Sequence, residues 1–592
     1  MVAVPSMTTS RADGGLGAIA DSAAGRFAVA GISSAGGYTP TIVTSLQQLR
    51  DTYTSGPLVD AASYILARVG WVLCQRVASA GNGSRGNVFA SGDDTAVASL
   101  TAAGGNTSTA VPTLAGVPVV PYAVKVKVTA AGANFAAATA RVQYSLDGGL
   151  TWSANVTPSG TAVALGDSGL TLAWADGSFV NTDTWSGGAA DGDQLGTCTL
   201  AVTGNPADAY AVVVEILRGA STLAAGTATY RLSLDGGDTW GPETAMPVSG
   251  VVTPAGTGLT LTWTYSSGTA FAANDRWDFA TTAPTFNAAG METAYTALDE
   301  GDDDFEAILW TGAFSAALCT SLETLMEASE AALRYHTSIV GVRDQTPEES
   351  VSEWELSVKA DFAAWEGVLV VPCAGHAEVL SPATQRYNRR SVAILVAGRA
   401  ASVPISEDLA WVERGALQGV TAIHYDGALH PAMNDAGFTT LRYRKTRTRK
   451  GFYVTNPHTG AAPTSDFKLY QYLRVWQEAA RLLADAMEPH SSRRLRTIPK
   501  PLPTPTPAVY QGRTAGAIDD REARAIEAKV NAALRAALME GAVAHVTSVS
   551  MTIDRTVDIV ATRELRTALS LGPMGYAKTI SNTIGFALGG AS

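Results

Sequence analysis

The C-terminal part of the chain, residues 441–592, opens with a basic run, Arg442-Tyr443-Arg444-Lys445-Thr446-Arg447-Thr448-Arg449-Lys450. A proline-rich connector follows at residues 499–507, and then one strongly patterned helix, two strands and an apolar tail. Of the chain totals of 42 basic and 54 acidic residues, this part holds 22 and 12, and the rest holds 20 and 42. Because the two parts carry opposite net charge, we predict that the basic part is the surface that meets partners.

The patterned helix is predicted to begin at Asp519 or Asp520 and to end at Gly541. Its apolar side chains recur at every fourth residue, which indicates one buried face. The residues of that face are Ile526, Val530, Leu534 and Leu538. The cations that lie off the face are Arg521, Arg524, Lys529 and Arg535.

Two strands and a terminal arm are predicted after this helix. Residues 543–553 alternate between apolar and polar, which predicts one strand, and residues 556–561 predict another. The apolar tail lies beyond Gly572-Pro573, within residues 573–592, and includes Ile580, Ile584 and Phe586. A lone β-prone segment cannot form a sheet, so we expect it to add as a strand to another sheet.

Alternating helices and strands at both ends of the chain predict an α/β core, with a first part at residues 26–103 and a second at 291–440. The first part has a buried strand at 27–32 and a capping box in which Ser45 is the cap and Gln48 reaches back. In the second part, Thr346-Pro347-Glu348-Glu349 predicts a helix start, and residues 367–372 predict a central strand. Residues 441–572 form a separate C-terminal domain, and residues 1–25 form an extended arm.

Residues 104–290 interrupt this core with a sequence that repeats itself. Ser145-Leu146-Asp147-Gly148-Gly149-Leu150-Thr151-Trp152 aligns with Ser233-Leu234-Asp235-Gly236-Gly237-Asp238-Thr239-Trp240. Short alternating strands around these turns predict two tandem all-β modules, 104–203 and 204–290, built as Ig-like sandwiches. The overall prediction is a multidomain α+β or α/β chain whose discontinuous core carries an inserted pair of β modules.

The repeated turn resembles the Asp-box of sialidase-type β-propellers, in which the box is a hairpin turn remote from the catalytic site. The resemblance implies that Asp147 and Asp235 bond turn amides and that Trp152 and Trp240 pack beneath them. Two copies cannot close a propeller of four or more blades. A carbohydrate-binding role for the insert remains a separate hypothesis.

Several function classes are disfavoured by composition and motifs. The net charge of −12 argues against direct nucleic-acid binding, which depends on cations that neutralise phosphates. The N-terminus lacks the features of a secretion signal, and no apolar run approaches the ~18 residues of a membrane span, so we expect no membrane insertion.

No residue is predicted to be catalytic, to bind a cofactor or to hold a metal. The chain has no HExxH motif, GxSxG elbow or Walker loop, and its four cysteines form no CxxC pair. Cys373 and His376 are the nearest approach to a nucleophile pair, and a packed cysteine beside a surface histidine is the simpler interpretation. The acidic run at residues 299–304 lacks EF-hand spacing and reads as a solvated turn.

The flanking parts, about 21–103 and 291–592, resemble the contractile tail sheath proteins of phages, tailocins and injection systems. The resemblance lies in Phe27–Ser33, in Ile42–Leu49, in Ser465–Phe467 leading to Arg474 and Val475, and in the final order of helix, strands and tail. That family keeps both ends of the core and tolerates large insertions between them.

The resemblance implies a structural, non-enzymatic subunit that polymerises helically around an inner tail tube and contracts to drive the tube through a cell envelope. The implied partners are other copies of the chain, joined through both arms, the inner tube protein, and the baseplate and tail terminator proteins. The implied location is a virion tail, tailocin or injection particle assembled in the bacterial host cytoplasm. Ile580, Ile584 and Phe586 are then candidates for the strand between subunits. The four helix cations are candidates for the tube-facing surface if the tube is acidic, and the alternative is that they are the solvated face of a core helix. The alternatives are a carbohydrate-binding adhesin and a glycoside hydrolase.

Overall fold

The computed structural model describes residues 25–91, 100–116, 122–166, 168–189, 196–491, 493–504, 506, 510–541 and 543–576. Most of the N-terminal arm and the candidate strand residues Ile580, Ile584 and Phe586 lie outside the described residues.

The first core stretch alternates strands and helices as predicted. Its elements are β1 (Phe27–Gly31), β2 (Thr41–Val43), α1 (Leu46–Tyr53), α2 (Pro57–Val69), β3 (Val72–Arg76) and β4 (Phe89–Ser91). Ser45 caps α1 by accepting from the Gln48 amide, and the Gln48 side chain accepts from the Thr44 amide. Because Pro57 suits the first turn of a helix, α2 begins there.

The first inserted module consists of two facing antiparallel sheets. Its strands are β5 (Thr101–Ala102), β6 (Pro112–Gly116), β7 (Tyr122–Ala130), β8 (Arg141–Ser145), β9 (Val163–Ala164), β10 (Leu170–Trp174) and β11 (Thr184–Ala189). The sheet orders are β5-β11-β7-β8 and β6-β10-β9. Alternate residues such as Val126 on β7 and Leu172 on β10 bury their side chains in one shared core, which makes the module a sandwich.

The second inserted module repeats this plan. Its strands are β12 (Thr199–Gly204), β13 (Ala211–Arg218), β14 (Thr229–Ser233), β15 (Thr244–Ala245), β16 (Val251–Val252), β17 (Leu259–Thr264) and β18 (Arg276–Ala280). The sheet orders are β12-β17-β16 and β15-β14-β13-β18-β4. The division expected at residues 203 and 204 falls inside β12, and β4 joins this sheet from before the first module.

The second core stretch returns to alternating helices and strands. Its elements are α3 (Ala288–Asp299), β19 (Ala307–Ala313), α4 (Ala316–Ala331), β20 (Thr337–Gly341), α5 (Val351–Asp361), β21 (Val370–Cys373), β22 (His376–Leu380), β23 (Tyr387–Ser391), α6 (Ala393–Ala401), β24 (Val420–Ile423) and α7 (Ala432–Asp435).

Both core stretches share one six-stranded sheet, in the order β2-β3-β1-β19-β20-β21. Neighbouring strands run parallel except for β2 and β3, and β1 pairs with β19 across the whole insertion. Apolar residues of α2 and α6 cover one face, and those of α3, α4 and α5 cover the other. The mixed α/β architecture with a β insertion is therefore present.

Two local predictions in the second stretch were wrong. The helix expected from Thr346 begins at Val351, with Ser350 and Glu353 forming the capping box. The strand expected at the centre of the sheet, β21, lies at its edge, where it is buried because residues Thr439 and Gly460 cover it.

The C-terminal domain contains β25 (Leu441–Lys445), β26 (Lys450–Val454), α8 (Tyr470–Met487), α9 (Asp520–Leu538), β27 (Val546–Ile553), α10 (Ile559–Thr562) and β28 (Thr567–Pro573). The basic run is a hairpin of β25 and β26, and residues 446–449 form its turn. Residues 556–561 do not form the predicted strand. Asp558 accepts from the Ala561 amide and caps α10 there, and the second strand is β28.

Candidate functional site

The two-stranded sheet of β27 and β28 is the part of the structure that could pair with a further strand. The strands pair antiparallel from Val546 opposite Pro573 to Ile553 opposite Thr567. The apolar stripe of α9 packs beneath them, and the buried residues of β27 complete that core. A two-stranded sheet is marginal by itself, so the packing on α9 is what holds it.

Side chains of α9 close the outer edge of β27 at two positions. The Met551 amide donates to the Asn531 Oδ1 at 2.7 Å, and Asn531 Nδ2 donates back to the Met551 carbonyl at 2.9 Å. The Ile553 amide donates to Glu527 Oε1 at 2.8 Å. These bonds occupy backbone amide and carbonyl groups of β27 with which another strand would have to pair.

The outer edge of β28 is left open by the same geometry. Residues of an antiparallel pair alternate between facing their partner and facing away. Because Met551 points its amide away from β28, its opposite residue Leu569 points its own amide away from β27, and Leu571 does the same. No strand pairs with this edge within the described part of the chain.

The chain leaves β28 from a fixed position. The Tyr472 hydroxyl of α8 donates to the Met574 carbonyl at 3.1 Å, and the Tyr576 hydroxyl donates to the Ser406 carbonyl. These two bonds hold residues 574–576 against α8 and the core. Tyr576, the last described residue, lines one pocket together with Leu569 and Leu571 of β28, so the described chain ends close to this strand.

The root of the N-terminal arm is also anchored. The Gly25 amide donates to the Glu306 carboxylate, which is also paired with Arg474 of α8. Gly25 and residues 574–576 therefore both lie where the core meets the C-terminal domain.

The four cations predicted on α9 lie on its outer surface. Arg521, Arg524, Lys529 and Arg535 are all exposed, and none takes part in an ion pair with a described residue. The buried stripe of α9 faces β27 and α8 instead. These cations are therefore available to an acidic surface outside the chain.

The repeated turns of the insert are held by their aspartates. Asp147 Oδ1 accepts from the Leu150 and Thr151 amides at 3.0 Å each, and Oδ2 accepts from the Thr151 hydroxyl at 2.6 Å. Asp235 Oδ1 accepts from the Thr239 amide at 2.9 Å. The carboxylates are thus engaged within their own turns.

The tryptophans of these turns are half-buried beneath cations. Lys127 Nζ lies 3.8 Å from the centre of a Trp152 ring, and the Arg231 guanidinium lies 4.1 Å from that of Trp240. A sugar that stacks on an aromatic face would have to displace these cations. The geometry therefore disfavours the carbohydrate-binding alternative.

The first turn is also a contact between insert and core. Glu348 accepts from the Leu146 amide at 2.7 Å and from the Thr151 hydroxyl at 2.8 Å, and its carbonyl accepts from the Tyr144 hydroxyl. Burial raises the pKa of the Glu348 carboxyl. Glu348 therefore belongs to a docking contact, which explains why no helix starts around it.

The second module is tied to the core by a buried arginine. Arg390 on β23 pairs with Asp60 of α2 at 2.6 Å and with Asp208 of the insert. The exposed fractions of the Arg390, Asp60 and Asp208 side chains are only 11%, 8% and 4%. A guanidinium shared by two buried carboxylates fixes the module to the core in one orientation.

The Cys373 and His376 pair is not a nucleophile arrangement. Cys373 is fully buried, and burial raises the pKa of its thiol. His376 pairs with Asp344 at 3.2 Å, and burial lowers the pKa of its imidazole to about 4. Among the described residues, no cluster of three or more His, Cys, Asp or Glu could hold a metal ion, and no helix is long and apolar enough to cross a membrane.

The fold defines a mixed α/β protein with an inserted pair of β-sandwiches and an open strand edge at β28. The chain belongs to the DUF2586 family, whose N-terminal domain model matches residues 4–458. No curated protein matches the chain.

Three solved structures are similar to the chain. A sheath tail protein from Listeria innocua is 9% identical, with 93% of this chain and 96% of that chain covered and a TM-score of 0.38. One from Desulfitobacterium hafniense is 9% identical, with 96% and 100% covered and a TM-score of 0.39. The contracted sheath complex of an extracellular contractile injection system, PVC, is 11% identical, with 52% and 77% covered and a TM-score of 0.37.

Proposed function

We propose that the protein is a structural subunit of a contractile tail sheath, which polymerises helically around an inner tail tube and contracts to drive it through a target cell envelope. The observation that carries the proposal is the open outer edge of β28 beside the start of the C-terminal arm. One chain thus has both an acceptor edge and a β-prone donor segment.

Donation between copies follows from this arrangement. A donor and an acceptor on different surfaces make a head-to-tail contact, and such contacts repeat into rings or open helices. A strand that makes about five backbone hydrogen bonds, at ~1 kcal/mol net each, contributes several kcal/mol per link. In the C-terminal arm, Ile580, Ile584 and Phe586 are the side chains that would pack on the neighbour.

The other partners follow from charge and position. The cations Arg521, Arg524, Lys529 and Arg535 face an acidic inner tube.

The inserted modules are Ig-like sandwiches that project from the outside of the sleeve, fixed to the core through Glu348 and Arg390. The ends of the sleeve meet baseplate and tail terminator proteins, and the particle is a virion tail, tailocin or injection device assembled in a bacterial cytoplasm. The subunit has no catalytic role.

Electron microscopy of purified full-length protein tests this function. We expect striated tubes or rings in negative stain, and folded particles that no longer polymerise after deletion of residues 577–592. Persistence of normal tubes after the deletion would overturn the role of the arm. Absence of any ordered polymer from the full chain would overturn the sheath function.

A substitution on β28 separates edge pairing from loss of the arm. Leu571→Pro removes an outward-facing amide, at a position where an edge strand tolerates proline. We expect it to leave a folded monomer, by circular dichroism, that does not form tubes. Leu571→Ala keeps the amide and serves as the matched control, which should polymerise.

A further inference from the structure

The tip of the β25–β26 hairpin presents cations without an acidic partner. Lys445, Arg447 and Lys450 are exposed, and none of them is ion-paired within the described part of the chain. Arg449 differs, since it pairs with Glu413 at 2.5 Å. Three cations on one narrow turn form a surface that favours an anionic partner.

A separate acidic pocket lies where α4, residues 368–369 and α8 meet. It has a volume of about 560 Å³, and its polar lining comes from Glu323, Glu327 and Glu330. Tyr335 and Trp476 form an aromatic wall, with ring centres 5.9 Å apart. None of the lining residues is basic.

One carboxylate oxygen in this pocket has no partner. Glu323 Oε1 accepts from the amides of Val368 and Leu369 at 2.6 and 2.8 Å, whereas Oε2 has no hydrogen bond within the described part of the chain. Glu323 is only 8% exposed, and burial raises the pKa of its carboxyl to about 7. A buried, unpaired carboxylate oxygen is costly, and the electrostatic attraction of a cation held in the pocket would offset part of that cost.

Charges of both signs surround the pocket: Arg481 donates to the Tyr335 carbonyl and pairs with Glu478, and an acidic loop adds negative charge. The loop after α3 exposes Glu300 and the run 302–304, which is entirely aspartate. An ion pair between Arg334 and Asp299 holds this loop beside the end of α4. Such a field attracts a cationic partner over a distance and discriminates against acidic ones.

We propose that this acidic pocket binds the basic hairpin tip of a neighbouring copy, with the Arg447 guanidinium entering between the glutamates and the aromatic wall. An arginine suits it because its planar head pairs with carboxylates and stacks on rings. Within the described residues of one chain the two surfaces share no hydrogen bond or ion pair, so both are available to a neighbouring copy. The inference rests on the proposed polymerisation and adds a second contact besides strand exchange.

Charge reversal in the full-length chain tests the contact. We expect Arg447→Glu and Glu327→Arg each to raise the protein concentration needed for polymerisation by about tenfold, because each places like charges together. The double variant should return to within about threefold of the wild type, since the pair is restored in the opposite sense. Effects that simply add in the double variant would overturn the contact.

Disulfide trapping distinguishes a failure of this contact from a failure of the proposed function. The four native cysteines are buried, so Arg447→Cys with Glu327→Cys adds the accessible thiols. We expect a ladder of linked chains under oxidising conditions from the double variant and none from either single variant. A ladder without tubes would support the contact and contradict the sheath function. Tubes without a ladder and without charge coupling would support the sheath and overturn the contact.

Discussion

Arg474 on α8 and Glu306, immediately before β19, form an ion pair in which 0% and 1% of the two side chains are exposed. Arg474 Nη2 donates to Glu306 Oε2 at 3.1 Å and to the Ala400 carbonyl at 3.0 Å. Glu306 also accepts from the Gly25 amide. The pair therefore joins α8, the central sheet and Gly25, the first described residue.

Removal of one member of this pair should destabilise the protein strongly. Arg474→Met leaves Glu306 as an uncompensated buried charge, and we expect a loss of about 3–5 kcal/mol in the free energy of unfolding. Arg474→Met combined with Glu306→Met should recover part of that loss, because no buried charge remains. Thermal unfolding of both variants measures this, and equal destabilisation by the single and double variants would contradict it.

The docking of the first inserted module depends on Glu348. Glu348→Ala removes the acceptor of the buried Leu146 amide, and we expect a cost of about 1–3 kcal/mol, localised at this contact. Hydrogen exchange should rise in residues 144–151. Glu348 makes no hydrogen bond to the equivalent turn of the second module, residues 232–239, so that turn provides an internal control. An equal rise in both turns would show a global effect instead.

The sequence identified elements whose signal is local. The apolar stripe of α9 and the cap at Ser45 depend on spacing within a few residues, and both are present. The helix start at Thr346 was misassigned because two capping signals lie four residues apart. Contacts to the insert engage Glu348, so Ser350 caps the helix instead.

The rest of the candidate site depends on contacts between distant residues. Asn531 and Glu527 look like ordinary polar positions on an exposed helix, and their bonds to β27 are visible only in three dimensions. Glu306 and Arg474 are 168 residues apart, so no local pattern pairs them. The acidic pocket likewise combines α4 with α8, and the sequence offers no spacing that would reveal it.

Reversal of charge on α9 should separate folding from partner binding. Arg521 and Arg524 are exposed and lack ion pairs among the described residues, so Arg521→Glu with Arg524→Glu should change stability by no more than about 0.5 kcal/mol. We expect the variant to polymerise alone but to lose co-assembly with an acidic inner tube in sedimentation. Glu540→Lys, also exposed beyond the end of α9, controls for a general change of charge. Undiminished co-assembly would contradict the tube-facing assignment.

The pH dependence of stability should reveal the buried carboxyl of Glu323. Burial raises its pKa in the folded protein to about 7 from the usual 4.5, so the folded state holds this proton more tightly than the unfolded state does. Stability is therefore unaffected by this group below pH 4.5 and falls as the pH rises to 7, by about 3 kcal/mol in total. Glu323→Gln keeps the acceptor for the Val368 and Leu369 amides without a charge. In dilute, unassembled protein it should raise the melting temperature at pH 8 and leave it unchanged at pH 4. The exposed Glu327→Gln on the same helix is the control, and a gain from Glu323→Gln that is equal at both pH values would contradict a role for ionisation.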